Sequence, residues 1–351
     1  MTAISSVRDV PGAMEFLHLS AKVGQDSALV QGPGGNTSIK QDGIVWVKAS
    51  GTQLADALTA DIFLPVRLRP LLQALERRDP ACETSATFVS PELNPRALRP
   101  SIETTLHALL PQRVVVHVHC IETIAWACCM DGEARLGERL NGLNWAFVPY
   151  ARPGLPLSQA LAARLSPVPS VVVLGNHGLV VAGETVATAA KLLDEVHRRL
   201  KRPEAAALPA NWARLDRAAE GTDYQPVADP AVHGLALDRV RFDAATCGSL
   251  YPDHVIFLGP AALRLKPDQS LNELLARNQR PIGPLVLVEG AGALLPGRAT
   301  PAAQAMARCL ADVLARLRPG EPLRYLTTAD EQALLNWDAE KYRQALSQLR
   351  R

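Results

Sequence analysis

The stretch Val114–Cys120, VVVHVHC, constrains this chain more than any other. Its branched apolar residues suit a buried strand, because such side chains pack well on a pleated surface. His117 and His119 interrupt the run with one residue between them. On a strand, residues i and i+2 share a face, so the two imidazoles project side by side while Val118 packs behind. Burying two imidazoles costs free energy unless something satisfies them. A shared cation would do so, and zinc sites are commonly built from histidine nitrogens.

Two further features strengthen that reading. His177 lies in a Gly-Asn-His-Gly turn after a second apolar run, VVVLGNHGLVV, where rigid backbone would hold its side chain. Glu103 precedes the histidine strand, and the short Pro111-Gln112 connection separates its helix from the strand. A helix packed on the sheet can bring that carboxylate to the same place. His107, four residues on, shares a helix face with Glu103 and is expected to hold the carboxylate or a ligand. His18, His197, His233 and His254 have no ligand-like spacing and are read as structural.

Around these residues the chain reads as mixed α/β. Ala13 to Val23 has helical spacing, QGPGGNTSIK is a glycine-rich turn, and GIVWVKASGT alternates as a strand should. Ser101 is the expected N-cap of a helix with an apolar stripe at Ile102, Leu106, Leu109 and Leu110, and Pro111 stops it. Ile121 to Met130 fits either helix or strand. Glu184 to Leu200 is amphipathic with a basic end.

Later in the chain, PDHVIFLG reads as a strand, LVLVEGAGALL as two strands, and Pro301 to Leu317 and Ala329 to Leu349 as helices. The prolines of 202–234 and their weak periodicity suggest a connection. The expected organisation is therefore a domain over 1–205, a linker over 206–234 and an α/β extension over 235–351. That extension is read as a degenerate repeat. Laying VVVLGNHGLVVAGETVATAA on LVLVEGAGALLPGRATPAAQ sets Gly178 on Gly292 and Gly183 on Gly297. It also sets Ala291 at His177, while pairing PQRVVVHVH with PDHVIFLGP at a different offset puts Leu258 and Pro260 at His117 and His119, so the copy would hold no such cation.

Composition excludes other classes. The net charge of +2 with no long basic run gives no electrostatic footprint for nucleic acid, and 5% aromatic residues are few for base stacking. No apolar run reaches the roughly eighteen residues of a membrane span, and the N-terminus lacks the apolar core of a signal peptide. The six cysteines show no CxxC pairing and are read as reduced thiols of a cytoplasmic protein. GAGALLPG lacks the GxGxxG spacing of a dinucleotide loop.

Taken together and in order, GGNTS (Gly34–Ser38), KASG (Lys48–Gly51), SIETTLH (Ser101–His107), HVH and NHG resemble the class II aldolase/adducin family. The resemblance covers roughly residues 10 to 200. PDHVIFLG, the Gly-Ala-Gly turn and NWDAEKYRQAL are similar to the aldolase half of long bacterial rhamnulose-phosphate aldolase/dehydrogenase fusions.

The resemblance implies a three-layer α/β/α sandwich around a largely antiparallel sheet, with a smaller α/β C-terminal extension. It implies Zn2+, or another divalent first-row metal, on His117, His119 and His177. Glu103 would be the acid/base, and a metal ligand in the resting enzyme. It also implies substrate binding by Gly35, Asn36, Ser50, Gly51 and Ser101. The implied protein is a cytoplasmic homotetramer acting on a small molecule in carbohydrate metabolism, with no nucleic-acid or membrane partner.

The expected reaction is aldolase-type cleavage of a hydroxylated carbonyl compound such as a sugar or sugar phosphate. The same ligands serve epimerisation, dehydration or decarboxylation, and the adducin branch uses the fold as a non-catalytic module. Two departures bear on this choice. Ile102 stands where the family's sugar-phosphate aldolases tend to have a second serine. The family's catalytic tyrosine has no clear counterpart here, although Tyr150 in VPYARPG matches a family segment.

Overall fold

In the computed structural model, which describes residues 4–278 and 283–348, VVVHV is the middle strand of a seven-stranded sheet. The strands are β1 (Asn36–Gln41), β2 (Ile44–Lys48), β3 (Phe63–Arg67), β4 (Val114–Val118), β5 (Trp145–Val148), β6 (Val171–Leu174) and β7 (Gly178–Gly183). Their order is β3-β2-β1-β4-β7-β6-β5. Every neighbouring pair is antiparallel except β5 and β6. The expected α/β class with a largely antiparallel sheet is present.

β4 is buried on both faces, which is why its sequence is a continuous apolar run. Alternation divides its residues between two layers. Val115 packs with Leu106, Leu110, Leu157 and Leu161, which come from the helices Thr104–Leu109 and Leu155–Ala162 and the turn after the first. On the other face, the helices Ala13–Gln25 and Val186–Leu200 contact β1, β4 and β7, and Ser20 meets Thr37 of β1 through their hydroxyls at 2.8 Å. His117 is two residues from Val115 and therefore faces the layer that contains Thr104–Leu109.

Contacts divide the chain into Met1–Thr123 with Glu133–Leu200, and Ile124–Gly132 with Lys201–Arg351. The second unit carries β8 (Tyr224–Pro226), β9 (Leu263–Leu265), β10 (Val286–Val288) and β11 (Gly292–Pro296), in the order β8-β11-β10-β9. The expected linker over 206–234 is corrected by this sheet. It contains a helix, Trp212–Ala219, capped by Asn211, and the strand β8, whose Tyr224 joins Leu215, Val286 and Leu294 in a core. Two of its prolines are helix-starting and edge-strand residues, with Pro230 in the first turn of Pro230–Leu237 and Pro226 in β8.

PDHVIFL, expected as a strand, is a helix, Pro252–Leu258, ended by Gly259 at φ +79°. All seven residues are buried, so no polar face reveals the period, and its β-branched and aromatic content misleads. The open stretch after β4 is helical, Ile121–Ala127. The helix expected from Ser101 starts at Thr104. The one expected over 329–349 is two, Thr328–Leu335 and Asp338–Gln348, and residue 349 lies outside the described residues.

The two sheets share a plan. In β4-β7-β6-β5 and in β8-β11-β10-β9 the successive pairs are antiparallel, antiparallel and parallel. The offset that lays Gly178 on Gly292 also carries the pairs Val172↔Val180 and Leu174↔Gly178 onto Val286↔Leu294 and Val288↔Gly292. Because PDHVIFL is helical, the strand matching β4 is β8. Pro226 then stands where His117 is and Ala291 where His177 is.

Lys40 of β1 is buried and donates to the Gln112 carbonyl at 2.8 Å. Burial pushes its pKa down to about 7 despite the nearby Glu184. The unfolded chain therefore holds the extra proton between the folded pKa and the ordinary lysine value. Folding stability should rise as pH climbs through that window, by at most about 1.4 kcal/mol per unit. Lys40→Met removes this slope. Its stability relative to wild type, measured by urea unfolding at pH 6, 7.5 and 9, should be highest at pH 6. A gap that does not change with pH would show that Lys40 titrates normally.

Candidate active site

The three expected histidines converge. His117 comes from β4, His119 from the residues just beyond it, and His177 from the turn between β6 and β7. Their ring centroids lie 5.0, 5.0 and 5.2 Å apart, all three are buried, and one nitrogen from each lies within 4.8 Å of the others. Two backbone features bring the turn to the strand. Asn176 adopts φ +53°, a conformation asparagine tolerates better than most residues. Gly178 lies so close to β4 that a Cβ there would stand 2.4 Å from the Val118 carbonyl oxygen.

Glu103 reaches the same point. It immediately precedes Thr104–Leu109, and its N–H donates to the Ser101 hydroxyl at 3.3 Å. Its Oε2 lies 3.3 Å from Nε2 of His117, and its Oε1 lies 3.2 Å from Nε2 of His177. Oε1, though buried, accepts no hydrogen bond from the described residues. Burial pushes the Glu103 carboxyl up, but positive charge on the side of His117, His177 and His119 carries it well below the usual range. Glu103 is therefore a buried carboxylate.

The donor set can be tested for a metal from tautomers alone. Nδ1 of His117 lies 3.1 Å from the Leu179 carbonyl, which can only accept, so Nδ1 carries the proton. In the neutral ring, Nε2 then presents its lone pair towards Glu103. Two lone-pair atoms facing each other at 3.3 Å, beyond the length of a charge-assisted hydrogen bond, suit a cation shared between them. Three imidazoles with a backbone carbonyl fixing one tautomer is the pattern of a first-row divalent metal site.

The expected substrate loops also come together. Ala49 and Pro100 form a bridge, with Ser50 N–H donating to the Arg99 carbonyl and Ser101 N–H to the Lys48 carbonyl, both within 3.2 Å. Those two amides are therefore committed to the chain itself. Gly35 at φ +61° and Gly51 at φ +74° need left-handed backbone, and a Cβ on Gly35 would press on the His117 carbonyl at 3.0 Å. Lys48, which sequence spacing does not single out, ties the two loops together by donating to the Pro33 carbonyl at 3.0 Å and the Thr52 carbonyl at 2.7 Å. Asn36 is opposite His117 in the β1/β4 ladder, and its side-chain N–H donates to Glu103 at 2.7 Å. His107, expected beside Glu103 on one helix face, instead reaches Asn36 and Ser38.

Residues 15–202 match the model of the class II aldolase and adducin N-terminal domain. The chain belongs to this family. A curated relative, the uncharacterized oxidoreductase YuxG of Bacillus subtilis, is 33% identical over 189 residues, covering 50% of this chain. The match spans 27% of that relative's length. Among solved structures, the N-terminal class II aldolase domain of a conserved protein from Thermoplasma acidophilum is 28% identical. It covers 53% of this chain and 90% of that one, with a TM-score of 0.47. The L-fuculose-1-phosphate aldolase of Thermus thermophilus is 18% identical over 53% of this chain and 91% of its own, with a TM-score of 0.37.

The close approach at Gly178 gives a direct check on the turn geometry. Gly178→Ala must push the turn away from a backbone atom rather than a flexible side chain. A loss of about 1–3 kcal/mol in chemical unfolding is expected. Wild-type stability in that variant would mean that the turn is not held against β4.

Proposed function

We propose that this chain is a metal-dependent carbon–carbon lyase of the class II aldolase type, with zinc the preferred ion. Its substrate would be a hydroxylated carbonyl compound such as a sugar or sugar phosphate. The observation that carries the reading is the buried convergence of three histidines on a carboxylate with one unsatisfied oxygen. His117, His119 and His177 would hold the ion, and their neutral rings leave its charge uncancelled. The bound ion would supply Lewis-acid stabilisation to the negative charge that develops as the bond breaks.

The protein's own groups supply the rest. Glu103, ionised despite burial, takes the proton from the substrate hydroxyl as the carbon–carbon bond opens. The same proton is then available to the carbon left with the electron pair, so the carboxylate returns to its starting state. With their amides committed to the chain, Ser50 and Ser101 offer hydroxyls, and Gly51 its N–H, to a phosphate or carboxylate at the other end of the substrate. Lys48 holds the Gly35 loop and the Gly51 loop at fixed separation for that contact. Ile102, partly buried between Ser101 and Glu103, replaces a further hydroxyl and shifts the preference towards a less highly charged anion.

We further infer that the second unit is a degenerate copy of the first, on the strength of the shared strand order and pairing register. With Pro226 and Ala291 at the histidine positions it would hold no equivalent ion. The family resemblance makes a cytoplasmic homo-oligomer the expected state.

Metal analysis of protein purified without added metal should return one equivalent per chain. His119→Ala should lose it together with turnover. Full occupancy in that variant would mean that the histidines are core packing. Glu103→Gln should keep metal binding while aldehyde release from a panel of ketoses and ketose phosphates falls by roughly 10²–10⁴-fold. A metal-loaded wild type that releases no aldehyde from any member of the panel would refute the lyase assignment.

A further inference from the structure

Glu103 is held by a line of buried side chains that runs away from the histidines. Asn36 donates from Nδ2 to Glu103 Oε2 at 2.7 Å. Asn36 Oδ1 meets Nε2 of His107 in a short hydrogen bond. Nδ1 of His107 meets the Ser38 hydroxyl at 2.7 Å. All four residues are buried, and Ser38 and His107 are fully so.

Each group in this line has one role open to it. An ionised carboxylate only accepts, so the Asn36 atom facing it must be the N–H group. The carbonyl of the same amide then faces His107. A carbonyl also only accepts, so His107 must carry its proton on Nε2. In the neutral ring Nδ1 is then an acceptor, and Ser38 must donate. Were the Asn36 amide turned over, its carbonyl would face the carboxylate, and two acceptors would be buried against each other.

We infer that His107 is a positioning residue for Glu103, acting through Asn36. Its Nε2–H fixes the amide so that an N–H group, not a carbonyl, faces the histidine triad. That N–H engages Oε2, the oxygen that would share the ion with His117, and leaves Oε1 for the substrate proton. The inference rests on the reading of Glu103 as the acid/base of a metal site. The sequence expectation is that His107 holds the carboxylate or a ligand; here it reaches the carboxylate only through Asn36.

The test has a metal-free arm and a metal-bound arm. In metal-free protein labelled with 15N-histidine, the His107 ring should show the neutral Nε2–H tautomer. The Nδ1–H tautomer there would overturn the inference without any variant having to fold. In protein loaded with cobalt(II), the visible ligand-field absorption reports whether the Glu103 carboxylate is at the ion. His107→Leu should keep one equivalent of cobalt, because the three ligand histidines remain, but its absorption should shift to that of Glu103→Gln. His107→Gln can still donate to Asn36 and should restore the wild-type spectrum. A wild-type spectrum in His107→Leu would overturn the inference. Failure of the wild type itself to bind cobalt would instead sink the metal reading, and the tautomer would still decide the role of His107.

Discussion

The register between β1 and β4 is the constraint on which the site depends. Asn36 stands opposite His117 and Ser38 opposite Val115. With side chains alternating between faces, Asn36, Ser38, Val115 and His117 all point to the layer that contains Glu103 and His107. A slip of one residue would turn Asn36 and Ser38 to the opposite face, away from the helix whose histidine and carboxylate they meet. The histidine strand is thus only half of the device. The neighbouring strand carries the groups that orient the carboxylate, and the ladder between them sets the geometry. Two glycines let this happen at close quarters. Gly35 brings the start of β1 against the His117 carbonyl, and Gly178 brings the His177 turn against Val118.

How much of this could be read from the chain alone follows from the range of each interaction. The triad was legible because its signals are local. Two histidines at i and i+2 must share a face of a strand, and a Gly-Asn-His-Gly turn fixes the third. Glu103 was placed by its helix just before the strand, and the two loops came from a resemblance that the family match bears out, so their approximate place was also foreseeable. The line from Ser38 through His107 and Asn36 to Glu103 was not, because it depends on which residues of β1 oppose which residues of β4. No periodicity encodes that register. Lys48 was missed for a similar reason. It looks like part of a loop motif, and only the fold shows that its ammonium group joins its own loop to the one that ends at β1. In the second unit the failures have another origin. A helix buried on every side, Pro252–Leu258, has no polar stripe to betray its period, and prolines at helix starts and in an edge strand gave 206–234 the look of a linker.

The second unit also shows what a buried histidine means when it is not a ligand. His233 packs against Gly292, accepts from the Ala293 N–H through Nδ1 at 3.1 Å, and meets Trp212 edge-on. One backbone donor and one aromatic face make it a fixed part of the core. Burial of imidazole is therefore common to both units and distinguishes nothing. What sets the first unit apart is convergence, with three imidazoles and one carboxylate aimed at a single point from separate segments of the chain.

Charge decides what suits that point. His107 is fully buried, and burial together with the charge of Lys40 pushes its pKa down to about 3, so it is neutral. The Asn36 amide and the Ser38 hydroxyl are neutral as well. Glu103 thus receives hydrogen-bond support from this side but no compensating charge. The compensation must come from the histidine side. Protonating the imidazoles would place like charges about 5 Å apart in a buried space. One divalent cation shared by three neutral rings avoids that repulsion and still answers the carboxylate. With a single carboxylate beside it, the ion keeps net positive charge. On the proposed reading, a substrate that develops negative charge on oxygen would suit such a pocket, and the same balance that makes burial of Glu103 tolerable would favour that chemistry.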